Sequence, residues 1–462
     1  FVFFRQPSTK QLLVSTAVIG VLFAIGASVL WKLYGYMFGA VIDEVSVAHA
    51  AQLEKLAPGV GAYLYPLSLL NQAALFFQYG LLWVLPLIGW MSIDIHPEFP
   101  ISLLSWPQTI GAVMYLACMV LAVVLVLRRS DVLGLLGLCL LWPGILFATE
   151  FATVWLQDPF VLYRSYLWAV PIPLLVALPF IFMRGKFTPP IGVLLVCIFA
   201  GLAFDRVQSL QTPLTAWSDA AIKVDLKAKP NAVGRWRPFQ NLGSEQLARD
   251  DQQAALRSYA QAVNLNEPLG SARFSLGMLL QASAQYPQAL AEFVKAEGQG
   301  FTESSLYFHR GEAQFGLRQF DLARISFDIV IEKSQDPNLV LEAQRRKAEA
   351  ALALENFDAA AKEFQSLLQT KPDSGRFLSG LSFAYLGQKN YGKALLILDD
   401  VIRKKPSPHA YYSRALVHFR RGDNMASKAD LSIATQAEPT NPVYLNLQRQ
   451  LIDADAGAKQ KK

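Results

Sequence analysis

Residues 243–277 read GSEQLARDDQQAALRSYAQAVNLNEPLGSARFSLG, and this stretch decides the fold of the C-terminal half. It begins at Gly243 and ends at Gly277, and Gly311 follows after the same interval of 34 residues. An alanine and an aromatic residue recur with the same period. Self-similarity at a fixed period of about 20–50 residues is typical of repeat proteins, in which each repeat is one supersecondary unit. The stretch therefore predicts an array of stacked helix pairs.

The period and the residue types are those of the tetratricopeptide repeat (TPR), in which a small residue and an alanine let two helices approach and an aromatic ring fills the gap. The residues expected to pack the helices are Gly243, Ala255 and Tyr259; Gly277, Ala289 and Phe293; Gly311, Ala323 and Phe327; and Ala360 and Phe364. Two weaker repeats follow, making about six repeats and a closing helix. The concave face of such a solenoid is expected to bind an extended peptide or a partner protein.

The N-terminal half has a different composition. The chain of 462 residues is 53% hydrophobic and 17% charged, with a mean hydropathy of +0.28, which is too apolar for an ordinary soluble protein. Most of the charge lies in the C-terminal half, where Lys and Arg are interleaved with acids, so nucleic acid is not an expected partner. The predicted fold is all-α: a multi-span helical membrane domain over 1–206, a connector over 207–235, a TPR α-solenoid over 236–455 and a disordered tail over 456–462.

A helix that crosses a bilayer needs about 20 mostly apolar residues. Five runs are predicted to cross: Leu12–Leu30, Thr109–Leu127, Leu133–Phe147, Leu167–Met183 and Ile191–Phe204. A sixth run, 67–90, contains polar residues and Pro86, so it is predicted to lie at the interface or to dip in and return. This arrangement puts Arg5, Arg128 and Arg184 on the cytoplasmic side. The TPR domain would then be extracytoplasmic, which for a bacterial inner-membrane protein means periplasmic.

Asp94, His96 and Glu98 alternate along one extracytoplasmic segment that ends at Pro100. Alternate residues of an extended segment share one face, and the prolines favour an extended backbone. Carboxylates and a histidine at the rim of a dry cavity can bind a metal ion or take a proton. The alternative is that they are the solvated polar residues of an interfacial loop.

Arg164 stands out in a second extracytoplasmic segment, 150–171, because Tyr163 and Tyr166 lie beside it. A guanidinium at a bilayer surface can hold a lipid-linked phosphate through paired hydrogen bonds. In the alternative interpretation the segment is an aromatic belt, and its arginine extends to the headgroups or pairs with Asp158. The sequence alone leaves both interpretations open.

The order of these segments resembles a known family. LNQ at residues 70–72 precedes LYRSYLWAVP at 162–171, a last span, TAWSDAAIK at 215–223 and KPNAVGRWRPFQNLG at 229–243, which leads into the repeats. This order resembles the transmembrane and tetratricopeptide-repeat proteins, GT-C-type glycosyltransferases related to protein O-mannosyltransferases. The resemblance implies an extracytoplasmic site that moves a sugar from a polyprenyl-phosphate donor to a protein hydroxyl, with a divalent metal ion in some relatives. The sequence itself shows no cofactor motif.

The chain looks like the C-terminal half of such a transferase, because it begins at Phe1 and contains no obvious equivalent of the acidic loop that follows the first span in that family. We therefore expect upstream sequence to be missing. Asp43 and Glu44 are the only adjacent acids in the corresponding place, and they could act as a base and a metal ligand or simply cap a helix. The alternative function is a non-catalytic, membrane-anchored TPR scaffold that assembles an envelope complex.

Overall fold

The computed structural model describes residues 8–182, 185 and 187–460. These residues are α-helical or irregular and form no strand; their single β-bridge is an isolated antiparallel one between Ile95 and Phe160. Arg5 and Arg184, which were used to predict the topology, lie outside the described residues. The chain divides into two compact units, Phe1–Arg273 and Phe274–Lys462. The division lies after the first predicted helix pair of the solenoid, and not in the predicted connector 207–235.

The first unit contains the apolar helices and the first helix pair of the repeats. Its α-helices are α1 (Thr9–Tyr34), α2 (Glu44–Leu56), α3 (Leu64–Val84), α4 (Gln108–Arg128), α5 (Val132–Phe147), α6 (Ile172–Ala177), α7 (Thr188–Ser209), α8 (Pro213–Ile222), α9 (Arg237–Leu247) and α10 (Gln252–Asn264), and α11 (Ser271–Ala282) lies across the division between the units. Short 3₁₀ helices occur at Gly35–Met37, Val60–Tyr63, Ile88–Trp90, Ala148–Phe151, Leu162–Tyr166 and Leu178–Phe182.

Four segments of the described chain are long and apolar enough to cross a membrane: Val60–Val84, Gln108–Arg128, Val132–Phe151 and Thr188–Ser209. The expectation for the segment 167–183 differs from the structure, whereas the placement of 67–90 in a membrane stays a prediction. The run 67–90, expected to be interfacial or re-entrant, contains the continuous 21-residue helix α3. It is continuous because Pro66 lies in the first turn of the helix and Pro86 lies beyond its end, so neither breaks the hydrogen-bond ladder.

The run 167–183, expected to be one crossing helix, is instead broken into the six-residue α6 and the 3₁₀ helix Leu178–Phe182. Pro171, Pro173 and Pro179 account for the breaks, since proline lacks the backbone N–H that a helix interior needs. At about 1.5 Å per residue, α6 is far too short to cross about 30 Å of hydrocarbon by itself.

Helix α3 runs parallel to α4 and in contact with it. Gly111 lies so close to Ala74 that a Cβ atom on the glycine would be 2.5 Å from the Cα atom of Ala74. Further along both helices, two residues on in α3 and four residues on in α4, the rings of Phe76 and Tyr115 pack edge to face at 5.1 Å. Because both contacts advance in the same direction, the chain must return between residues 85 and 107 from the end of α3 to the start of α4.

The second unit is built from antiparallel helix pairs. Its helices are α12 (Tyr286–Gly298), α13 (Ser304–Gly316), α14 (Phe320–Lys333), α15 (Pro337–Ala353), α16 (Phe357–Thr370), α17 (Gly375–Gly387), α18 (Tyr391–Lys404), α19 (Pro408–Arg421), α20 (Asn424–Ala437) and α21 (Pro442–Gln460). Three clusters, made mostly of alanine, leucine and aromatic side chains, form the core among its described residues. Helix α21 extends to Gln460, five residues into the segment expected to be a disordered tail, and residues 461–462 lie outside the described part.

The periodic glycines lie where the two helices of a repeat cross. A Cβ atom on Gly277 would be 2.5 Å from Phe293, and one on Gly311 would be 2.7 Å from Phe327, so only glycine fits without a shift of the ring. The periodic alanines and aromatic residues beneath them are buried, among them Ala255, Tyr259, Ala289, Ala323, Ala360 and Phe364. Gly243 meets Tyr259 in the same way in the first unit.

Each turn between the two helices of a repeat contains one residue with positive φ: Asp250, Ala284, Arg318, Glu355, Lys389 and Gly422. Of these six residues only the last is a glycine. In the Ala284 turn the amide of Gln285 donates to the carbonyl of Leu280 at 2.8 Å, which closes the end of α11. A non-glycine residue in this conformation costs about 1–2 kcal/mol, and the repeated geometry keeps it there.

Candidate functional site

A buried ion-pair cluster lies at the centre of the first unit, outside the apolar helices. Asp94, in the segment between α3 and α4, accepts two hydrogen bonds from Arg237 at the start of α9, from Nε at 3.0 Å and from Nη2 at 2.7 Å. The same guanidinium donates to the carbonyl oxygen of Gln157 at 3.3 Å and lies 2.6 Å from Oδ1 of Asp158. The carboxylate side chain of Asp94 is only 2% exposed. Arg237 therefore joins two segments that are far from it in sequence.

Burial opposes the ionisation of Asp94, but His96 and Arg237 outweigh it and hold the pKa of this carboxyl below its usual value. Nε2 of His96 lies 2.8 Å from Oδ1 of Asp94, and the imidazole side chain is 1% exposed. The ring packs on Gly234, which has a φ of +90° and whose Cβ, if it had one, would overlap the imidazole. Gly234 thus meets two requirements, a left-handed backbone and room for the ring.

Arg164 extends the cluster towards the apolar helices. Its Nη1 donates to the carbonyl oxygen of Asp158 at 3.2 Å and lies 3.6 Å from Oε2 of Glu150, while its Nη2 lies 4.0 Å from Oδ2 of Asp158. The guanidinium carbon stands 3.9 Å above the ring of Trp155. Charges of opposite sign therefore alternate through the cluster, in the order Glu150, Arg164, Asp158, Arg237, Asp94.

These contacts bear on the two interpretations of Arg164. In the structure the guanidinium is engaged by two carboxylates, a carbonyl and an indole, with 19% of its side chain exposed. Tyr166 is exposed, and its ring lies 5.7 Å from that of Trp83. The side chain of Tyr163 lies outside the described residues. Arg164 thus pairs with Asp158, as the belt interpretation expected, and it would have to leave these partners to hold a phosphate.

The other sequence candidates make different contacts. The carboxylate of Glu98 pairs with Lys229 at 3.0 Å, and Glu98 lines the same cavity as Asp94 and His96. Asp43 caps α2 by accepting a hydrogen bond from the amide of Ser46 at 2.7 Å, and Glu44 is exposed in the first turn. In the part of the chain that is described, no three His, Cys, Asp or Glu side chains are arranged to hold a metal ion.

A cavity of about 440 Å³ adjoins the cluster. Its lining includes Trp90, Asp94 and His96 on one side and Lys223 and Arg235 on the other. Arg235 is held by three carbonyl oxygens, those of Ala232, Asp225 and Lys229. Nζ of Lys223 donates to the carbonyl of Met91 at 2.8 Å and lies 2.6 Å from Oδ1 of Asp219. The cations around the cavity are thus already bound to oxygen atoms of the protein.

His49 in α2 and Trp236 before α9 form a second buried contact between distant segments. The indole Nε1 donates to Nε2 of His49 at 3.1 Å, so this nitrogen must be unprotonated. Burial, followed by the nearby charge of His96, lowers the pKa of His49 to about 4. The imidazole is therefore neutral at physiological pH.

Sequence reasoning missed Arg237. It is 143 residues from Asp94, and no spacing rule joins the two positions in a single sequence. The available signal was two arginines, Arg235 and Arg237, in a short segment bounded by Gly234 and Pro238 just before the first repeat.

The second unit has a groove of its own. A cavity of about 480 Å³ lies against α15, α17 and α19, and its lining includes Glu349, Arg376, Phe383, Lys405 and His409. Next to it, Arg345 and Arg346 form ion pairs with Glu312, Glu342 and Glu349 along neighbouring first helices. The groove thus combines an apolar floor with charged edges.

Two tetratricopeptide-repeat family models match this unit, over residues 308–375 and 351–417. The helix pairs of residues 308–417 are therefore tetratricopeptide repeats, a class of protein-interaction module. A comparison with curated proteins finds no match.

Several solved structures are similar to parts of the chain. A tetratricopeptide repeat protein from Parabacteroides merdae is 16% identical over 54% of this chain and 95% of its own, with a TM-score of 0.38. PilF of Pseudomonas aeruginosa is 12% identical over 46% of this chain and 97% of its own, with a TM-score of 0.38. YrrB, described as a TPR protein with an unusual peptide-binding site, is 14% identical over 41% and 97%, with a TM-score of 0.33. These likenesses are too distant to carry an argument about function.

Proposed function

We propose that the chain is a membrane-anchored TPR protein that binds a protein partner or an extended peptide in the groove of its second unit. The observation that carries this proposal is the 480 Å³ groove across consecutive first helices, where Phe383 offers an apolar contact between Arg376 and His409. Grooves of this kind, lined by aromatic and aliphatic side chains with a few polar groups, favour ligand binding. Tetratricopeptide solenoids use such concave surfaces to hold partners.

The exposed side chains of the apolar helices support the membrane anchor. Helix α7 buries no residue of its most apolar window, and α4 leaves large side chains such as Val113, Leu116 and Val120 more than 60% exposed. A soluble protein seldom exposes so much contiguous apolar surface. Lipid chains would cover these helices and so remove the free-energy cost of exposing their apolar side chains to water.

The parallel packing of α3 and α4 supports a re-entrant α3. After α3 ends, the chain returns through residues 85–107 to the start of α4. Helix α3 would therefore enter the membrane, and the segment after it would leave, on the same side of the bilayer. The broken segment 162–182 would then cross between α5 and α7 with its backbone buried against other helices, as irregular segments in membranes require. This arrangement gives five crossings with the solenoid on the extracytoplasmic side, and we propose a bacterial inner membrane with a periplasmic solenoid.

Site-specific photo-crosslinking in cells tests partner binding. A benzophenone amino acid replaces Phe383 in the groove of the full-length chain, and the matched control carries it at Met425, which is 85% exposed on another helix of the same unit. We expect a discrete protein adduct at position 383 that is absent at position 425 and is weakened by Arg376→Glu. Equal adducts at both positions, or none at 383, would reject the groove as the binding site.

A second candidate is transfer of a sugar from a polyprenyl-phosphate donor to protein. The observation that favours it is that the segments carrying the family resemblance, 162–171 and 229–243, converge on one charged cluster beside a cavity of about 440 Å³. In this role Arg164 would exchange its carboxylate partners for the donor phosphate, with any divalent metal ion arriving with the donor.

The transferase candidate is tested by replacing Arg164 with Ala and measuring both donor binding and sugar transfer. Arg129→Ala is the control, because Arg129 forms an exposed ion pair with Asp131 far from the cluster. Transfer lost in the first variant and kept in the second would support the role. Unchanged donor binding and transfer would remove Arg164 from the site.

A further inference from the structure

The loop before α4 exposes large apolar side chains in the first unit. Ile101 is 41% exposed, Leu103 49%, Leu104 87% and Trp106 73%. Single exposed apolar residues are common on protein surfaces, but four within six residues form a patch. Among the described residues of this unit, none covers the patch.

Hydrogen bonds within the loop fix its conformation. The Oγ atoms of Ser102 and Ser105 lie 3.2 Å apart across its turn, and Oγ1 of Thr109 donates to the carbonyl oxygen of Leu103 at 2.9 Å. At its base, Nε2 of Gln108 donates to the carbonyl oxygen of Glu98 at 2.8 Å. The apolar side chains are therefore presented outward by a hydrogen-bonded frame.

The patch is continuous with the exposed face of α4. Helix α4 begins at Gln108, and Ile110, Val113 and Met114 in its first two turns are 45–62% exposed. If α4 crosses the bilayer, its first turn lies at the boundary between headgroups and hydrocarbon, and the loop lies within one or two turns of that boundary. Tryptophan is enriched at this depth because its ring is amphipathic, and Trp106 is placed there.

We propose that residues 101–106 form an interfacial anchor that inserts Leu103, Leu104 and Trp106 into the outer leaflet beside α4. The inference rests on the proposed membrane placement and adds a second contact with lipid that is not a span. The segment just before the loop is hydrogen-bonded to the connector. The amide of Phe99 donates to the carbonyl oxygen of Asn231 at 3.0 Å, and Nδ2 of Asn231 donates to the carbonyl oxygen of Phe99 at 2.7 Å. Insertion would therefore hold residues 229–237, and the Asp94–Arg237 pair, close to the membrane surface.

Burying the exposed side chains would favour insertion. Even partial burial of a leucine and a tryptophan in lipid removes apolar area from water, which is favourable in proportion to that area. The loop contains no charged residue, so no charge has to be moved out of water.

Spin-label accessibility tests the anchor in the full-length chain. The chain, with Cys118, Cys139 and Cys197 replaced by Ala, is placed in nanodiscs of phosphatidylcholine and phosphatidylglycerol and labelled at Leu104→Cys. Lys227→Cys, exposed in the connector of the same unit, is the water control, and Val120→Cys in α4 is the lipid control. Collisions with oxygen report lipid, and collisions with a water-soluble nickel complex report water.

We expect the ratio of oxygen to nickel collisions at position 104 to be severalfold higher than at 227 and to approach that at 120. Trp106→Cys gives a second label and should behave in the same way. A ratio at 104 equal to that at 227 would overturn the anchor while leaving the spans in place. Low collision rates for both reagents would also overturn the anchor, because protein, such as a second copy of the chain, would then cover the loop in place of lipid. A water-like ratio at 120 would reject the membrane placement itself.

Discussion

Replacing Arg237 with Gln should loosen the first unit locally, because it leaves a buried carboxylate without its guanidinium partner. Asp94 is 2% exposed and would lose both charge-assisted hydrogen bonds, at 3.0 and 2.7 Å. Each such bond contributes about 1.5–3 kcal/mol, and the pair with Asp158, whose side chain is 31% exposed, adds little. The expected loss is therefore about 3–5 kcal/mol, the range found when one partner of a buried ion pair is removed.

Amide hydrogen exchange of the full-length protein in detergent measures this loss. The free energy of local unfolding, obtained from the exchange rates of amides in residues 95–99 and 238–245, should be lower in the variant than in the parent protein. Arg249→Gln is the control, since Arg249 forms an exposed pair with Glu245 in the same helical repeat and should change stability by less than about 0.5 kcal/mol. The double variant Arg237→Gln with Asp94→Asn should recover at least about half of the loss, because the unpaired charge is gone. A loss below about 1 kcal/mol, or no recovery in the double variant, would refute the reasoning.

Three further predictions concern other residues. The pKa of His49 is 6.5 in the unfolded chain and about 4 in the folded one, so the unfolded chain binds a proton at higher pH. The free energy of unfolding should therefore decrease by up to about 3 kcal/mol as the pH falls from about 6.5 to about 4. His49→Gln should flatten that dependence in exchange-detected stability, and an unchanged slope would contradict the assignment. Gly277→Ala should destabilise α11 and α12 by about 1–2 kcal/mol, because its Cβ atom would lie 2.5 Å from Phe293. Gly298→Ala, with nothing within 4 Å of the new Cβ atom, should stabilise by up to about 1 kcal/mol. If thermal unfolding showed changes in stability of the same sign for both variants, this packing would be contradicted. Ala284→Gly should slow local exchange, because it removes about 1 kcal/mol of strain at a φ of +58°, and faster exchange would contradict that account.

The repeats could be predicted from the sequence because their contacts are local. Gly277 and Phe293 are 16 residues apart and belong to one helix pair, so a fixed period encodes the contact directly. The six turns with positive φ were not predictable in the same way. Five of them use a residue other than glycine, such as Arg318, so the usual signal for a left-handed backbone is missing.

The charged cluster was only half predictable. Alternate spacing anticipated that Asp94, His96 and Glu98 would share a face, and all three line one cavity. It could not predict that Glu98 would pair with Lys229, outside the contact between Asp94 and His96. The long-range partner of Asp94 is Arg237, and this pairing depends on how the whole first unit folds. Long-range ion pairs leave no periodic trace in a single sequence.

The positions of the apolar segments could be predicted from the sequence, but their helical continuity could not. Hydropathy identified where apolar runs occur, but it could not tell a continuous helix from a broken one. Prolines decide the matter by their positions: Pro66 lies in the first turn of α3, whereas Pro171 and Pro179 interrupt the later run. Sequence windows that average over 20 residues lose this information.

The pairing of Asp94 with Arg237 also constrains how the protein is made. Ribosomes add residues from the N-terminus, so Asp94 is synthesised 143 positions before its guanidinium partner exists. During that interval α4, α5 and α7 are all produced, while the carboxylate has only His96 beside it. The first unit can therefore close only after the start of α9 has emerged, and the earliest stage at which a nascent chain can become protease-resistant around residue 94 is set by residue 237.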